Sequence, residues 1–360
     1  MERKKNFFAG PSVLPLEVLK QVQEELVDYK GNGLSMIETS HRGGMFEEMY
    51  DETLALFKRL IGAGDEFDFY FLGGGATLQF SMVPINFLPQ GGKAGYINSG
   101  SWSEKALIDA KKLGDIDVVW DGKESGYTTL PKMETLRVDP SLSYLYLCSN
   151  ETIGGIEYKE FPKTDSVPLI ADMSSDIFSR PFDVNQFGMI FGGVQKNLGP
   201  AGAAFVLYKK ELLEKQNPNL PSYLDYALHG KNKGLANTPP VFAIWVVNLV
   251  LKWIESHGGI EGMAKRAETK SSLIYDVIDS SSFYRSPVDP SYRSTMNVVF
   301  RLPGEELEEL FIKESKKEGM LGLKGHRSVG GLRASLYNSL EPAAVEALAQ
   351  FMREFETRHG

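Results

Sequence analysis

Short β-rich runs recur along the chain, with helical stretches between most of them. Strands are expected at Phe67–Leu72, Ala94–Asn98, Asp117–Trp120, Tyr144–Cys148, Leu169–Asp172, Met189–Gly192 and Ala203–Tyr208. Several of these runs are apolar throughout rather than alternating, the pattern of strands covered by helices on both faces. That predicts an α/β fold with a mostly parallel seven-stranded sheet. The last two strands are joined by a Gly/Pro loop too short for a crossover helix, so this pair is expected to be antiparallel. From about His257 the pattern changes. A strand at Met296–Leu302, a helix at Glu305–Glu318, a strand at Leu332–Leu336 and a helix at Ala343–Glu356 predict a small C-terminal α+β domain. The division is therefore a large domain over 16–257 and a small one over 258–360.

A chain of 360 residues, 42% hydrophobic and 24% charged, has the balance of an ordinary globular protein with room for one large core and a smaller lobe. Its net charge of −8 argues against nucleic acid or an anionic membrane as partner. The single cysteine, Cys148, excludes an internal disulfide framework and fits a cytoplasmic setting. Met1 to Phe8 are basic, but no apolar stretch of signal-peptide length follows. Val241–Ile254 is the most apolar segment; Asn248 and Lys252 interrupt it, and it is too short to span a bilayer. It reads as a buried helix.

Ligands of open α/β sheets sit beyond the carboxyl ends of the strands, and the unusual residues of this chain gather there. Gly73 to Thr77 follow the first expected strand, Gly100-Ser101-Trp102 the second, and Asn150-Glu151-Thr152 the fourth. Asp172 ends the fifth, and Gln195-Lys196 follow the sixth. The segment GGGATLQF lacks the Lys-Ser/Thr of a P-loop and the spacing of a dinucleotide fingerprint. A glycine turn feeding a helix still offers free N–H groups and a positive dipole end, suited to one phosphate. A tight turn that binds nothing reads the same way.

Taken alone, Asp172 is a helix cap, Lys196 a snorkelling surface lysine and Trp102 a core aromatic. Together they point to sharper chemistry. A buried lysine with a depressed pKa is a nucleophilic amine that forms Schiff bases. A buried aspartate can hold a pyridinium nitrogen so that the ring acts as an electron sink, and Trp102 offers a flat face for that ring. Phosphate site, stacking tryptophan, aspartate and lysine at successive strand ends are the parts of a pyridoxal-phosphate enzyme. His41-Arg42 and His326-Arg327 form two His-Arg pairs in Gly/Ser-rich loops, with Arg333 close behind the second. No histidine spacing resembles a metal site. Arginine forks bind carboxylates and phosphates bidentately, so these residues together suggest a doubly anionic substrate, although any one arginine alone is more often a surface ion pair.

The segments NFFAGPSVLP, SHRGGMFEEM, GSWSEKA, NETIGGIEY, ADMSSDIFSRP, GGVQKNLGPAG, ANTPPVFAI and GHRSVGGLRASLYNSL together resemble the phosphoserine aminotransferases, class V members of the fold-type I pyridoxal-phosphate enzymes. The resemblance runs nearly end to end. It implies that Lys196 is the Schiff-base lysine, Asp172 the partner of the pyridine nitrogen, Trp102 the stacking residue, and Thr152 a contact to the ring oxygen. Ala76, Thr77 and Gln195 would hold the phosphate, with Asn237 and Thr238 reaching it from the other subunit of a homodimer. Arg333 would bind the α-carboxylate, and His41, Arg42, His326 and Arg327 the distal phosphate or γ-carboxylate. Residues 1–15 would lie near the active site. Two positions depart from the family: Ala76 stands where many relatives carry arginine, and Gly154 where a larger side chain is expected.

The implied reaction moves an amino group between L-glutamate and 3-phosphohydroxypyruvate, giving phosphoserine on the route to serine. A phosphorylated threonine precursor in pyridoxine synthesis is a further implied substrate. Lys196 would carry the proton between the substrate α-carbon and the cofactor C4′. Rival readings are another class V enzyme, such as an alanine–glyoxylate transaminase or a desulfurase, and a phosphate-binding scaffold without activity. Cys148 inside a strand argues against a desulfurase, and the two His-Arg pairs against a small substrate. An intact Asp172, Lys196 and Trp102 argue against a scaffold.

Overall fold

The computed structural model describes residues 3–360. Among them, seven strands form one sheet: β1 (Phe67–Gly74), β2 (Lys93–Asn98), β3 (Asp115–Asp121), β4 (Leu145–Cys148), β5 (Leu169–Asp172), β6 (Met189–Gly193) and β7 (Gly202–Lys209). Their order across the sheet is β1-β7-β6-β5-β4-β2-β3. β2 to β6 pair in parallel, while β7 is antiparallel to both β6 and β1. β7 alone is reversed, for the reason read from the loop after β6. β1 consequently points the same way as β6, and its glycine-rich end lies at the same edge of the sheet as Asp172.

β4, β5 and β6 are buried at every residue, as their unbroken apolar runs require. β3, at the edge, alternates between exposed and half-buried positions. Helices cover both faces: α1 (Leu16–Glu25), α2 (Gly44–Ile61), α3 (Ala76–Phe87), α4 (Ser101–Ala110), the short α5 (Tyr226–Lys231) and α6 (Val241–Ser256). On one face Phe57 of α2 and Trp245 of α6 pack with Phe69, Phe71 and Leu147. On the other, Phe80 of α3 and Leu107 of α4 pack with Tyr96, Tyr146 and Phe191. α6 is buried along most of its length, and among the described residues no helix is long and apolar enough to cross a membrane.

The C-terminal elements occur as expected: β8 (Asn297–Phe300) pairs antiparallel with β9 (Leu332–Ser335), and the helices at Glu305–Lys317 and Pro342–His359 pack on them. The helix Gly259–Asp279, α7, was not anticipated. It carries Met263 into the core of the large lobe and Ile274, Val277 and Ile278 into that of the small one. Polar Lys270 and Ser271 interrupt its buried face, which blurs the apolar periodicity that announces a helix. The small core also takes in Phe7 and Val13, because Lys5–Asn6 pairs in parallel with Met320–Leu321.

Candidate active site

Two helices begin at the carboxyl edge of the sheet, and their first turns differ. β1 turns through Gly74, at φ +106, into α3. Among the described residues no side chain caps α3, and the amides of Ala76 and Thr77 donate to no acceptor. In α4 the amides of Trp102 and Ser103 donate to the Glu151 carboxylate at 2.9 and 2.8 Å, and the Ser103 hydroxyl donates to it at 2.8 Å. Gly100 is glycine because the carboxylate lies against it: a Cβ there would stand 2.6 Å from Glu151 Cδ. The positive end of α4 is thus already neutralised by the protein. That of α3 is open to an anion.

Lys196 follows β6 and is buried, its Nζ donating to Thr152 Oγ1 at 2.6 Å and lying 5.5 Å from the centre of the Trp102 ring. Burial pulls its pKa below the ordinary lysine value, against the opposing field of Asp172. Burial likewise raises the pKa of Asp172 above the ordinary carboxyl value, with Lys196 and hydrogen bonds from Ser174 opposing the shift. Both Ser174 bonds, from the amide at 2.8 Å and the hydroxyl at 2.5 Å, reach Asp172 Oδ1. Among the described residues Oδ2 has no donor. An amine biased toward its neutral form is a nucleophile, and a neighbouring carboxyl group keeps a positive charge nearby favourable.

Residues 9–12 pass over this lysine. The Ser12 amide donates to the Gln195 carbonyl at 3.0 Å, the Ser12 hydroxyl donates to the Lys196 carbonyl, and the Tyr337 hydroxyl donates to the Ala9 carbonyl at 2.8 Å. A Cβ on Gly10 would meet Lys196 Cγ at 3.3 Å. Arg333 enters from β9 and donates through Nη1 to the Thr152 carbonyl at 3.2 Å, while its buried Nε has no partner. His326 stands among positive neighbours. Partial burial, aided by Arg333, Lys105 and Arg327, lowers its pKa from the ordinary histidine value.

The fold therefore brings Lys196, Asp172, Thr152, Trp102 and Arg333 together, with Gln195 beside the lysine and Ala76 and Thr77 at the open helix start. His41, Arg42, Asn237 and Thr238 make no hydrogen bond to this cluster within the chain; Arg42 and Asn237 have only local bonds, to Ser40 and Thr238. Among the described residues, and chain neighbours aside, a Cβ on Gly154 would meet just the Tyr127 carbonyl, at 4.0 Å, so a larger side chain would meet little there. Sequence reasoning gave no role to Glu151, Ser174, Ser12 or Tyr337. Each acts on a residue that did attract attention, and Glu151 had one visible signal, a carboxylate inside an otherwise buried strand end.

The family model described as Aminotransferase class-V matches residues 5–348. A phosphoserine aminotransferase of Niallia circulans is 51% identical over 360 residues, covering 100% of this chain and 99% of that one. The solved phosphoserine aminotransferase from Bacillus circulans subsp. alkalophilus superposes with a TM-score of 0.98 at 51% identity, covering 100% of both chains. The PLP-bound phosphoserine aminotransferase from Trichomonas vaginalis gives a TM-score of 0.93 at 36% identity, over 98% of this chain and 100% of that one. With its whole length matched at this level, the chain belongs to the class-V aminotransferases and, within them, to the phosphoserine aminotransferase family.

Proposed function

We propose that this chain is a pyridoxal-phosphate-dependent transaminase that moves an amino group between L-glutamate and 3-phosphohydroxypyruvate, yielding O-phospho-L-serine and 2-oxoglutarate. Its full-length likeness to phosphoserine aminotransferases supports the substrate pair. The observation that carries the chemistry is the buried Lys196 amine between Thr152 and Trp102, with Asp172 buried nearby.

The residues fit the cofactor. The open amides of Ala76 and Thr77, with Gln195, would hold its phosphate; Trp102 would cover its ring; Thr152 would meet its ring oxygen; and Asp172, through the unengaged Oδ2, would meet its ring nitrogen. When bound, pyridoxal phosphate supplies an aldehyde carbon for amine attachment and a ring that takes up the electron pair left at the substrate α-carbon. Lys196 Nζ would take up the proton released from the substrate α-carbon. Thr152 Oγ1, already bonded to Nζ, keeps the amine in reach. Arg333 would hold the α-carboxylate, its guanidinium steadied by the Thr152 carbonyl and its free Nε available as a donor. His41, Arg42, His326 and Arg327 would take the distal phosphate or γ-carboxylate. Ala76, lacking an arginine's charge, leaves the cofactor phosphate to backbone amides and the Thr77 hydroxyl.

The same reading includes a cytoplasmic homodimer, a large domain over 16–257 and a small one over 258–360. Asn237 and Thr238, which contact nothing of the site within their own chain, would serve the partner's phosphate. Exposed Leu16, Leu19, Leu26, Val27, Ile37 and Phe242 on and around α1 and the start of α6 support a subunit contact there. The test is a screen of keto acids with glutamate as donor. The cofactor-loaded protein should be yellow, bleach with borohydride, and turn over phosphohydroxypyruvate far faster than pyruvate or glyoxylate. Lys196→Ala should retain cofactor but lose turnover and borohydride-stable attachment. Near-native turnover by that variant without added amine removes Lys196 from the mechanism.

A further inference from the structure

The turn that carries His326 and Arg327 is bonded within itself but has few ties to the rest of the chain. Residues 325–331 include three glycines, and Gly330 and Gly331 both adopt positive φ, +73 and +68. Residues 327–330 are exposed. Leu323 and Arg333 close its base through the Arg333 amide, which donates to the Leu323 carbonyl at 2.9 Å; the Gly325 amide donates to the Gly331 carbonyl at 2.8 Å. Inside the turn, the amides of Val329 and Gly330 both donate to the His326 carbonyl, at 2.9 and 2.8 Å. The Ser328 amide donates to His326 Nδ1 at 3.3 Å, and the Ser328 hydroxyl lies 2.7 Å from the same nitrogen. Such a segment moves as a unit, but glycine leaves the unit free to swing.

One side chain ties it down. Arg301, just beyond β8, donates through Nη1 to the Val329 carbonyl at 3.0 Å and through Nε to Glu308 Oε1 at 2.7 Å. Glu308, at 7% side-chain exposure, is nearly buried and also accepts from the Leu302 amide at 3.3 Å, so the fork is anchored at its far side. The two glycines make the approach possible. A Cβ on Gly331 would stand 2.5 Å from Arg301 Cδ, and one on Gly330 would stand 3.4 Å from Nη1. Among the described residues, no other side chain from outside the turn hydrogen-bonds to it.

We propose that Arg301 is a positioning residue for substrate selectivity: by pinning Val329, and through it His326, it holds the turn so that His326 and Arg327 meet the distal anion of the substrate. This rests on the assignment of those two residues to the distal phosphate. Releasing the pin leaves the α-carboxylate site and Lys196 untouched and lowers the fraction of molecules with the turn in place. Apparent affinity falls by that fraction.

The test compares phosphohydroxypyruvate with hydroxypyruvate on the holoenzyme. Arg301→Ala is expected to raise KM for the phosphorylated keto acid about tenfold or more, with kcat within about twofold and KM for hydroxypyruvate nearly unchanged. Arg301→Lys, which keeps the charge but not the fork, should fall between. If Arg301→Ala does not fold, Glu308→Gln carries the comparison, with a smaller rise of the same selectivity. Equal losses for both keto acids, or a lowered melting temperature without loss of selectivity, overturn the proposal. Arg327→Ala separates the layers. If it loses selectivity while both Arg301 variants keep it, Arg301 has no such role and the distal-anion assignment stands; if it keeps selectivity, assignment and proposal fall together.

Discussion

At Glu151, a fully buried carboxylate takes the first amides of α4, and the next residue in the chain is Thr152, the hydrogen-bond partner of Lys196. The tryptophan proposed to cover the cofactor and the hydroxyl that holds the lysine are thereby set against each other by one side chain. Glu151→Gln places an NH₂ group among donors and removes the charge that balances the helix end. Charge-assisted bonds of this kind contribute about 1.5–3 kcal/mol each, and part of that loss should fall on the cofactor site, so affinity for pyridoxal phosphate should drop about tenfold. Trp102→Ala added to Glu151→Gln should cost much less than Trp102→Ala alone, because the two substitutions act on one contact. Titration of the cofactor-free variants, followed by circular dichroism of the bound chromophore, measures both; additive losses would mean that Glu151 serves only the fold. Lys196, Asp172 and Thr152 could be picked out from the sequence because each stands at a strand end, where ligands of such sheets collect. Glu151 could not. Its role depends on a helix start 48 residues earlier in the chain, and no local pattern records that meeting.

Among the elements, α7 is the instructive case. Its buried stripe contains Lys270, whose ammonium donates to the carbonyls of Tyr337 and Leu340 at 2.6 and 3.2 Å. A lysine at a core position hides a helix from any search for apolar spacing, whereas β4, β5 and β6 were legible because nothing polar interrupts them. Lys270→Met keeps the length and loses the donors, leaving the Tyr337 carbonyl to the Leu340 amide alone and the Leu340 carbonyl to Arg266 Nη2 alone. At about 0.5–1.5 kcal/mol for each lost bond, the variant should be less stable by about 1–3 kcal/mol. The pH dependence identifies the cause. Burial lowers the Lys270 pKa well below its ordinary value, so between the folded and unfolded pKa values the unfolded chain binds the extra proton and this residue adds stability as pH rises. Denaturant unfolding of the wild type and Lys270→Met from neutral to alkaline pH should therefore show the gap between them widening. A constant gap would assign the loss to packing alone.

For the whole molecule, the reversal of β7 against β6 followed from the sequence pattern, but the pairing of β1 with β7 did not, since it joins segments 128 or more residues apart (Gly74 to Gly202). Shared sites are the corresponding expectation between subunits. A Lys196→Ala chain mixed with an Asn237→Ala, Thr238→Ala chain should form heterodimers with one intact site and one doubly defective site, recovering about a quarter of wild-type activity at random pairing. Verified heterodimers without recovery would mean that Asn237 and Thr238 do not serve the neighbouring site. The course of residues 5–12, which end by covering Lys196, has another consequence, in the order of manufacture. These residues leave the ribosome early, yet their partners are Gln195, Lys196, Met320, Leu321 and Tyr337. Domains generally fold as they emerge, so the large lobe can form its sheet while this strip still lacks its last neighbours. Lys196 receives its full covering only after more than three hundred residues have been translated, and a truncated nascent chain is left with that covering undone.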